Sequence, residues 1–87
     1  MKEEQIAQAH EIFALVAKIN ETGRYEAFLD YSGHTNGIYV RVRTIFSHDP
    51  VYRGYLFSDH YEWNDQINAM HYALTWVLNN AMEEAAA

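Results

Sequence analysis

The 87-residue sequence predicts a single α+β domain, residues 1–87, in which a helix, three antiparallel strands and a second helix follow one another. Apolar residues recur at helical spacing near both ends of the chain. Between these segments the spacing changes to every second residue, which is typical of strands. Short turns separate the strands, and short connections require antiparallel pairing. Two amphipathic helices and a sheet with one apolar face predict two layers, with both helices on one face of the sheet.

The first predicted helix covers residues 3–20 and stops at Gly23, which can adopt the left-handed conformation that follows a last turn. Glutamates in its first turn and a lysine in its last turn suit the helix dipole. The side expected to face the sheet consists of Ile6, Ala9, Ile12, Phe13, Val16 and Ile19.

Strands are predicted over residues 24–32, 38–47 and 51–57, with the hairpin signal Asn36-Gly37 between the first two and a turn at His48-Asp49-Pro50 after the second. In the first strand, Tyr25, Ala27, Leu29 and Tyr31 share one face and Glu26, Phe28 and Asp30 share the other. In the middle strand we expect the helices to cover Ile38, Val40, Val42, Thr44 and Phe46 and to leave outside Tyr39, Arg41, Arg43 and Ile45. Both faces of the third strand are apolar or aromatic, so its phase stays open.

Ser58 or Asp59 is predicted to cap the second helix, with Glu62 three residues after Asp59 as in a loose capping box. The buried stripe of this helix is expected to be Trp63, Ile67, Met70, Leu74, Val77, Leu78 and Ala81.

Composition narrows the classes of function. The chain has no cysteine, which excludes disulfides, thiolate metal sites and thiol nucleophiles. Small secreted domains usually depend on disulfides, and the sequence shows neither a signal-like start nor an apolar run of about 20 residues. We therefore expect a cytoplasmic protein without membrane contact. A net charge of −6 disfavours general nucleic-acid binding and favours basic protein surfaces.

The outward face of the sheet is the first candidate binding surface. If the valines of the middle strand meet the helices, this face carries Phe28, Tyr39, Arg41, Arg43 and Ile45, joined by Arg53 and Tyr55 of the third strand. Aromatic residues and arginine are enriched at interface hot spots, and they can also stack on single-stranded bases. The alternative is a solvated face on which Glu26 or Asp30 pairs with an arginine of the next strand.

Two further candidate surfaces lie on the second helix or just before it. Tyr72 and Trp76 recur with Asp65 on the side opposite the buried stripe, where they are either covered by another part of the chain or contact a second copy or a target. Asp59 and Glu62 cluster with Asp65 around the start of the helix. These carboxylates are either an ordinary solvated face or an imitation of phosphates that a nucleic-acid-binding protein accepts.

Enzyme chemistry finds little support in the sequence. None of the five histidines stands at close ligand spacing, and the nearest candidate set for a metal, His34 with Asp59 and His60, is better explained by ordinary surface histidines. The sequence has no nucleophile elbow and no phosphate-cradling glycine loop. We expect no catalytic residues, no metal and no cofactor.

The predicted order of elements resembles the double-stranded-RNA-binding domain. Gly33-His34 is similar to a loop of that family, and residues 39–43, YVRVR, are similar to its central strand. The family holds phosphates with lysines at the start of its second helix, where residues 61–66 of this chain are YEWNDQ. Because carboxylates repel phosphates, the resemblance implies the topology and not the activity.

In size, acidity and element order, residues 6–78 also resemble small phage-encoded proteins of the anti-CRISPR kind, which inhibit RNA-guided Cas nucleases. The similarity is a style of hairpin, residues 26–33 followed by 38–42, and not a residue signature. It implies a protein inhibitor that occupies the DNA-reading groove of a nuclease, in some cases as a DNA mimic. The arginines of the sheet depart from a pure DNA mimic.

The leading hypothesis is therefore a small acidic binding protein, phage-derived, that blocks a nucleic-acid-processing partner such as a CRISPR nuclease by protein–protein contact. A first alternative is a homodimer or larger scaffold that pairs through Tyr72 and Trp76 or through the open sheet. A second is a single-stranded nucleic-acid-binding module that uses the sheet face.

Overall fold

A computed structural model describes residues 1–86 and confirms the predicted order of elements. These are α1 (Glu3–Glu21), β1 (Tyr25–Ser32), β2 (Gly37–Thr44), β3 (Pro50–Phe57) and α2 (Trp63–Ala86). The strands form one antiparallel sheet in the order β1-β2-β3, so β2 is central and β1 and β3 are its edges. In the described part of the chain, neither helix is long and apolar enough to cross a bilayer.

Both helices pack on one face of the sheet, α1 against β1 and α2 against β3, and they also contact each other. The predicted phase of β2 is confirmed, because Ile38, Val40 and Val42 are buried whereas Arg41 is exposed. The rest of the core consists of Ile12, Leu15, Val16, Ile19, Ala27, Leu56, Trp63, Ile67, Met70, Leu74 and Val77.

The phase of β3 follows from its pairing with β2. The register sets Tyr52, Gly54 and Leu56 opposite Val42, Val40 and Ile38. Directly opposite residues share a face, so these three face the helices, and Arg53 and Tyr55 lie on the outer face. The register shifts by one residue between Val42 and Arg43, where Pro50 begins β3.

The prediction for α1 was partly wrong. Phe13 and Ile6 were expected to face the sheet, but their side chains are 60% and 42% exposed, and Leu15 is buried instead. The reason is position, since α1 lies over the edge strand β1 and part of its apolar side extends beyond the sheet.

Two boundaries also differ from the prediction. β2 ends at Thr44, because hydrogen bonds join Thr44, Ser47 and Asp49 in a tight turn and leave the Phe46 side chain 90% exposed. α2 begins at Trp63 and not near Asp59, since residues 58–62 form turns in which the Trp63 amide donates to the carbonyl of His60.

Candidate functional site

The outer face of the sheet, opposite the helices, brings together every residue predicted for it except Ile45, which lies in the turn after β2 because that strand ends at Thr44. Its members are Phe28, Tyr39, Arg41, Arg43, Arg53 and Tyr55. The cross-strand register explains the grouping, because Phe28 of β1 lies opposite Arg41 of β2, and Tyr39 of β2 lies opposite Tyr55 of β3.

Two arginines share the ring of Phe28. The guanidinium carbon of Arg41 lies 4.3 Å from the ring centroid, and that of Arg43 lies 5.1 Å from it. Both distances are within the range of cation–π attraction, which is worth about 0.5–1 kcal/mol at exposed sites. Phe28 therefore helps to hold two long side chains against the sheet.

Arg43 is also fixed by Glu26, its direct neighbour on β1. One guanidinium nitrogen of Arg43 donates to both carboxylate oxygens of Glu26, at 2.9 Å and 3.1 Å. This hydrogen bond holds the pKa of Glu26 below its ordinary value, against a smaller opposing effect of desolvation. The predicted alternative of a cross-strand ion pair is thus confirmed for Arg43, whose guanidinium is already paired with a carboxylate of the same chain.

Arg41 and Arg53 are placed differently. They lie directly opposite each other on β2 and β3, an arrangement of like charges that destabilises a sheet. Within the described residues neither forms an ion pair with a carboxylate. Beside them, Tyr39 and Tyr55 stack with ring centroids 4.5 Å apart. An acidic or aromatic group from outside would relieve the repulsion and cover these rings.

A shallow hollow of about 290 Å³ lies on the outer face near the turn that joins β2 to β3. Its lining consists of Tyr39, Arg41, Val42, Arg43, His48, Pro50, Tyr52 and Arg53. The shifted register at Arg43 explains the hollow, since a bulge bends the strand at that point.

The predicted acidic cluster is exposed but does not converge on one cavity. Asp59 lines a cleft of about 570 Å³ between the start of α1 and the turn before α2, and the lining includes neither Glu62 nor Asp65. The wider charge pattern is clearer. The two helices and the turn before α2 carry nine of the twelve acidic residues of the chain, and three of the six basic residues lie on the outer face of the sheet.

Tyr72 and Trp76 are 75% and 58% exposed, so the alternative in which another part of the chain covers them is wrong. With Val51 and Tyr52 of β3 they border a hollow of about 300 Å³ between α2 and the free edge of the sheet. Half of this wall is aromatic, which suits contact with another apolar surface.

All five histidines are exposed. Nδ1 of His60 accepts a hydrogen bond from the Glu62 amide, and its ring stacks on that of Tyr61 with centroids 4.8 Å apart. No three His, Asp or Glu side chains of residues 1–86 come together in a group that could hold a metal ion.

The sequence analysis did not predict one surface of the molecule. An apolar groove of about 540 Å³ runs between α1 and β1, lined by Met1, Ile6, Ala9, His10, Phe13, Leu29, Tyr31 and Ile38. A signal for it existed, because the apolar residues of α1 span about half of the helix circumference, more than a single packing face requires.

The surfaces thus differ in chemistry: the outer face is aromatic and basic, the helical layer is acidic, and apolar hollows lie along both edges of the sheet. A scan against protein families found no matching family model, and searches of curated proteins and of solved structures gave no significant match.

Proposed function

We propose that this chain is a small binding protein that docks on another protein through the outer face of its sheet. The observation that supports this proposal is that the side chains of this face are held in place by one another: Phe28 contacts Arg41 and Arg43, and Tyr39 stacks on Tyr55. Side chains that are already ordered lose less conformational entropy on binding. Arginine and tyrosine are also the residue types that contribute most at interfaces.

The proposal extends to the partner, a nucleic-acid-processing protein such as a CRISPR nuclease, which the chain inhibits by imitating phosphates. The support is the separation of charge, because Asp59, Glu62 and Asp65 are all exposed on the acidic side of the molecule while the arginines lie on the sheet. A basic groove of the partner attracts the acidic side, and a separate part of the same partner covers the outer face with its arginines. An origin in a phage belongs to the same proposal.

The test is affinity capture from a host lysate followed by a nuclease assay with the captured protein. The variant Asp59→Lys with Glu62→Lys and Asp65→Lys is expected to abolish both capture and inhibition. The matched control reverses Glu3, Glu4 and Glu11, which changes the net charge equally on exposed positions of α1. Inhibition that survives the first variant, or that is lost equally in both, contradicts phosphate imitation.

The outer face has its own variant in the same assay. Tyr39→Ser with Tyr55→Ser removes the stacked pair and is expected to weaken capture without changing the net charge. Labelled single-stranded DNA and RNA, measured by fluorescence anisotropy at low salt, test the nucleic-acid alternative for the same face. Tight binding that Arg41→Ala removes would replace the protein partner by a nucleic acid.

The exposure of Tyr72 and Trp76 favours a second candidate function, self-association at the edge of β3. Light scattering across a concentration series measures it directly, and Trp76→Ser is expected to abolish it. The chain has only two tryptophans, and Trp63 is buried, so dimerisation would shift the fluorescence of Trp76 selectively. A constant monomer mass at all concentrations removes this candidate.

A further inference from the structure

The free edge of β1 is closed at one point by a side chain. Asn20, at the end of α1, donates from Nδ2 to the carbonyl of Ala27 at 2.9 Å and accepts from the Ala27 amide at Oδ1 at 2.8 Å. These are the two bonds that a neighbouring strand would make. They also show which residues of β1 direct their backbone groups away from β2, because such residues alternate along an edge strand and Ala27 is one of them.

By this alternation the next outward-directed residues of β1 are Leu29 and Tyr31. Within the described part of the chain, no hydrogen bond joins their outward amides or carbonyls to another residue. Beyond Ala27, β1 has neither a bulge nor a proline to interrupt this edge, since its register with β2 is continuous. β3, the opposite edge, has both Pro50 and a shifted register.

These free backbone groups lie beside the apolar groove. The side chains of Leu29 and Tyr31 form one wall of the groove, and Ile6, Ala9, His10 and Phe13 of α1 form the other. Phe13 and Tyr31 remain 60% and 55% exposed. A strand edge and a helix that flank an apolar groove are suited to an extended peptide, because the edge supplies hydrogen bonds and the groove accepts alternate side chains.

We propose that an extended peptide segment of a partner protein binds in this groove by adding a strand to β1. Its apolar residues enter the groove at alternate positions. The residue between them lies on the outer face beside Asp30, which is exposed and forms no ion pair within the described residues. With a net charge of −6 on the chain, a basic residue is favoured at that position. The recognised pattern is therefore apolar–basic–apolar.

A second copy of this chain fits the groove poorly. Antiparallel pairing of two β1 strands about Asp30 would place the two Asp30 carboxylates directly opposite each other. Pairing about Leu29 would instead direct Tyr31 at Ala27, whose backbone groups Asn20 already occupies. A foreign segment meets neither obstacle. Apart from Asp30, this surface shares no residue with the outer face of the sheet, so variants at Tyr39, Tyr55 and the acidic cluster test the proposed function independently of this proposal.

The experiment is a titration of the full chain with a short fluorescein-labelled peptide in which valine and lysine alternate, followed by anisotropy. A second peptide alternates valine and glutamate. Phe13→Lys places a charge in the groove and is expected to weaken binding of the first peptide by about tenfold or more. The matched control is Phe46→Lys, the same change at an exposed phenylalanine outside the groove, which should leave the affinity unchanged.

Two further variants test the backbone and the charge. Tyr31→Pro removes an outward amide that β2 does not use, and is expected to weaken binding by roughly two- to tenfold. Asp30→Lys is expected to reverse the preference between the two peptides. Amide hydrogen exchange should slow at Leu29 and Tyr31 when the first peptide is bound.

Three results would overturn the proposal. One is the absence of saturable binding by the valine–lysine peptide, and another is binding that Phe13→Lys and Asp30→Lys both leave unchanged. The third is a wild-type dimer, seen by sedimentation, that Tyr31→Pro dissociates, because a second copy would then be the occupant.

Discussion

Gly54→Ala tests the packing between the sheet and α2. Gly54 faces the helices opposite Val40, and the ring of Tyr52 lies across it. A methyl group at this position would overlap the Tyr52 hydroxyl and lie 2.9 Å from the Cζ atom of that ring and 3.0 Å from Cε of Met70. Ordinary contacts are 3.4–4 Å, so at least the tyrosine ring has to move.

The cost follows from two opposing effects. Forcing a packed side chain out of place costs about 1–3 kcal/mol. Replacing glycine by alanine restricts the unfolded chain, which stabilises the fold by about 0.4–1 kcal/mol. We therefore expect a net loss of about 1–2 kcal/mol in the free energy of unfolding, which lowers Tm by roughly 5–15 °C in a domain of this size. Urea denaturation followed by circular dichroism measures it as a lower midpoint with an unchanged slope.

A double-mutant cycle tests the cause. In a Tyr52→Val background the aromatic obstacle is gone and only the flexible end of Met70 remains near the new methyl group. Gly54→Ala should then be neutral or slightly stabilising, which corresponds to a coupling energy of about 1–3 kcal/mol. Equal destabilisation in both backgrounds would refute the reasoning, because the cost would then come from the backbone and not from Tyr52.

Other regions of the molecule give three more predictions. Asn20→Ala removes two hydrogen bonds to the edge of β1, so we expect a loss of about 1–2 kcal/mol in urea denaturation, and unchanged stability would contradict the bonding described. Arg43 lowers the pKa of Glu26, so this ion pair stabilises the fold at pH values above the ordinary pKa of a glutamate and loses its effect as the pH falls through the lowered pKa. The difference in unfolding free energy between wild type and Glu26→Gln should therefore vanish in acid. A difference that stays constant with pH would exclude the ion pair. Trp63→Phe removes the 2.8 Å hydrogen bond from the indole nitrogen to Gln8, so we expect a loss of about 1 kcal/mol in the free energy of unfolding. Gln8→Ala should cause a similar loss. Additive losses in the double variant would show that the two side chains do not interact.

The order of elements could be predicted because each signal was local. Val40 and Val42 alternate with Arg41 and Arg43, and burying arginine is costly enough to settle which face of β2 meets the helices. The third strand gave a weaker contrast, since Arg53 is its only charged residue and aromatic residues stand on both of its faces. Its phase is set by pairing with β2, a long-range property that periodicity does not contain.

The exposure of Phe13 on α1 could not be predicted from the sequence for a similar reason, since it depends on how distant parts of the chain pack. Helical spacing places Phe13 on the same side as Ile12 and Val16, but it does not show how far the neighbouring sheet extends beneath that side. The sheet ends at β1, so Phe13 projects past it and forms the wall of a groove. The members of the outer face were predictable from alternation except for Ile45, which lies beyond the end of β2. The pairing of Arg43 with Glu26 and not Asp30 follows from the register, which alternation does not give.

The separation of acidic helices from the arginines of the sheet gives the molecule an electric dipole moment with a component across its layers. The shortest extent of its Cα positions is 18 Å, which exceeds the Debye length of about 10 Å at 0.1 M salt but is less than the Debye length of about 30 Å at 0.01 M. A charged partner that approaches in dilute salt therefore exerts a torque on the whole chain and turns it before any side chains touch. At higher ionic strength this long-range alignment fades, and productive collisions depend on rotational diffusion alone.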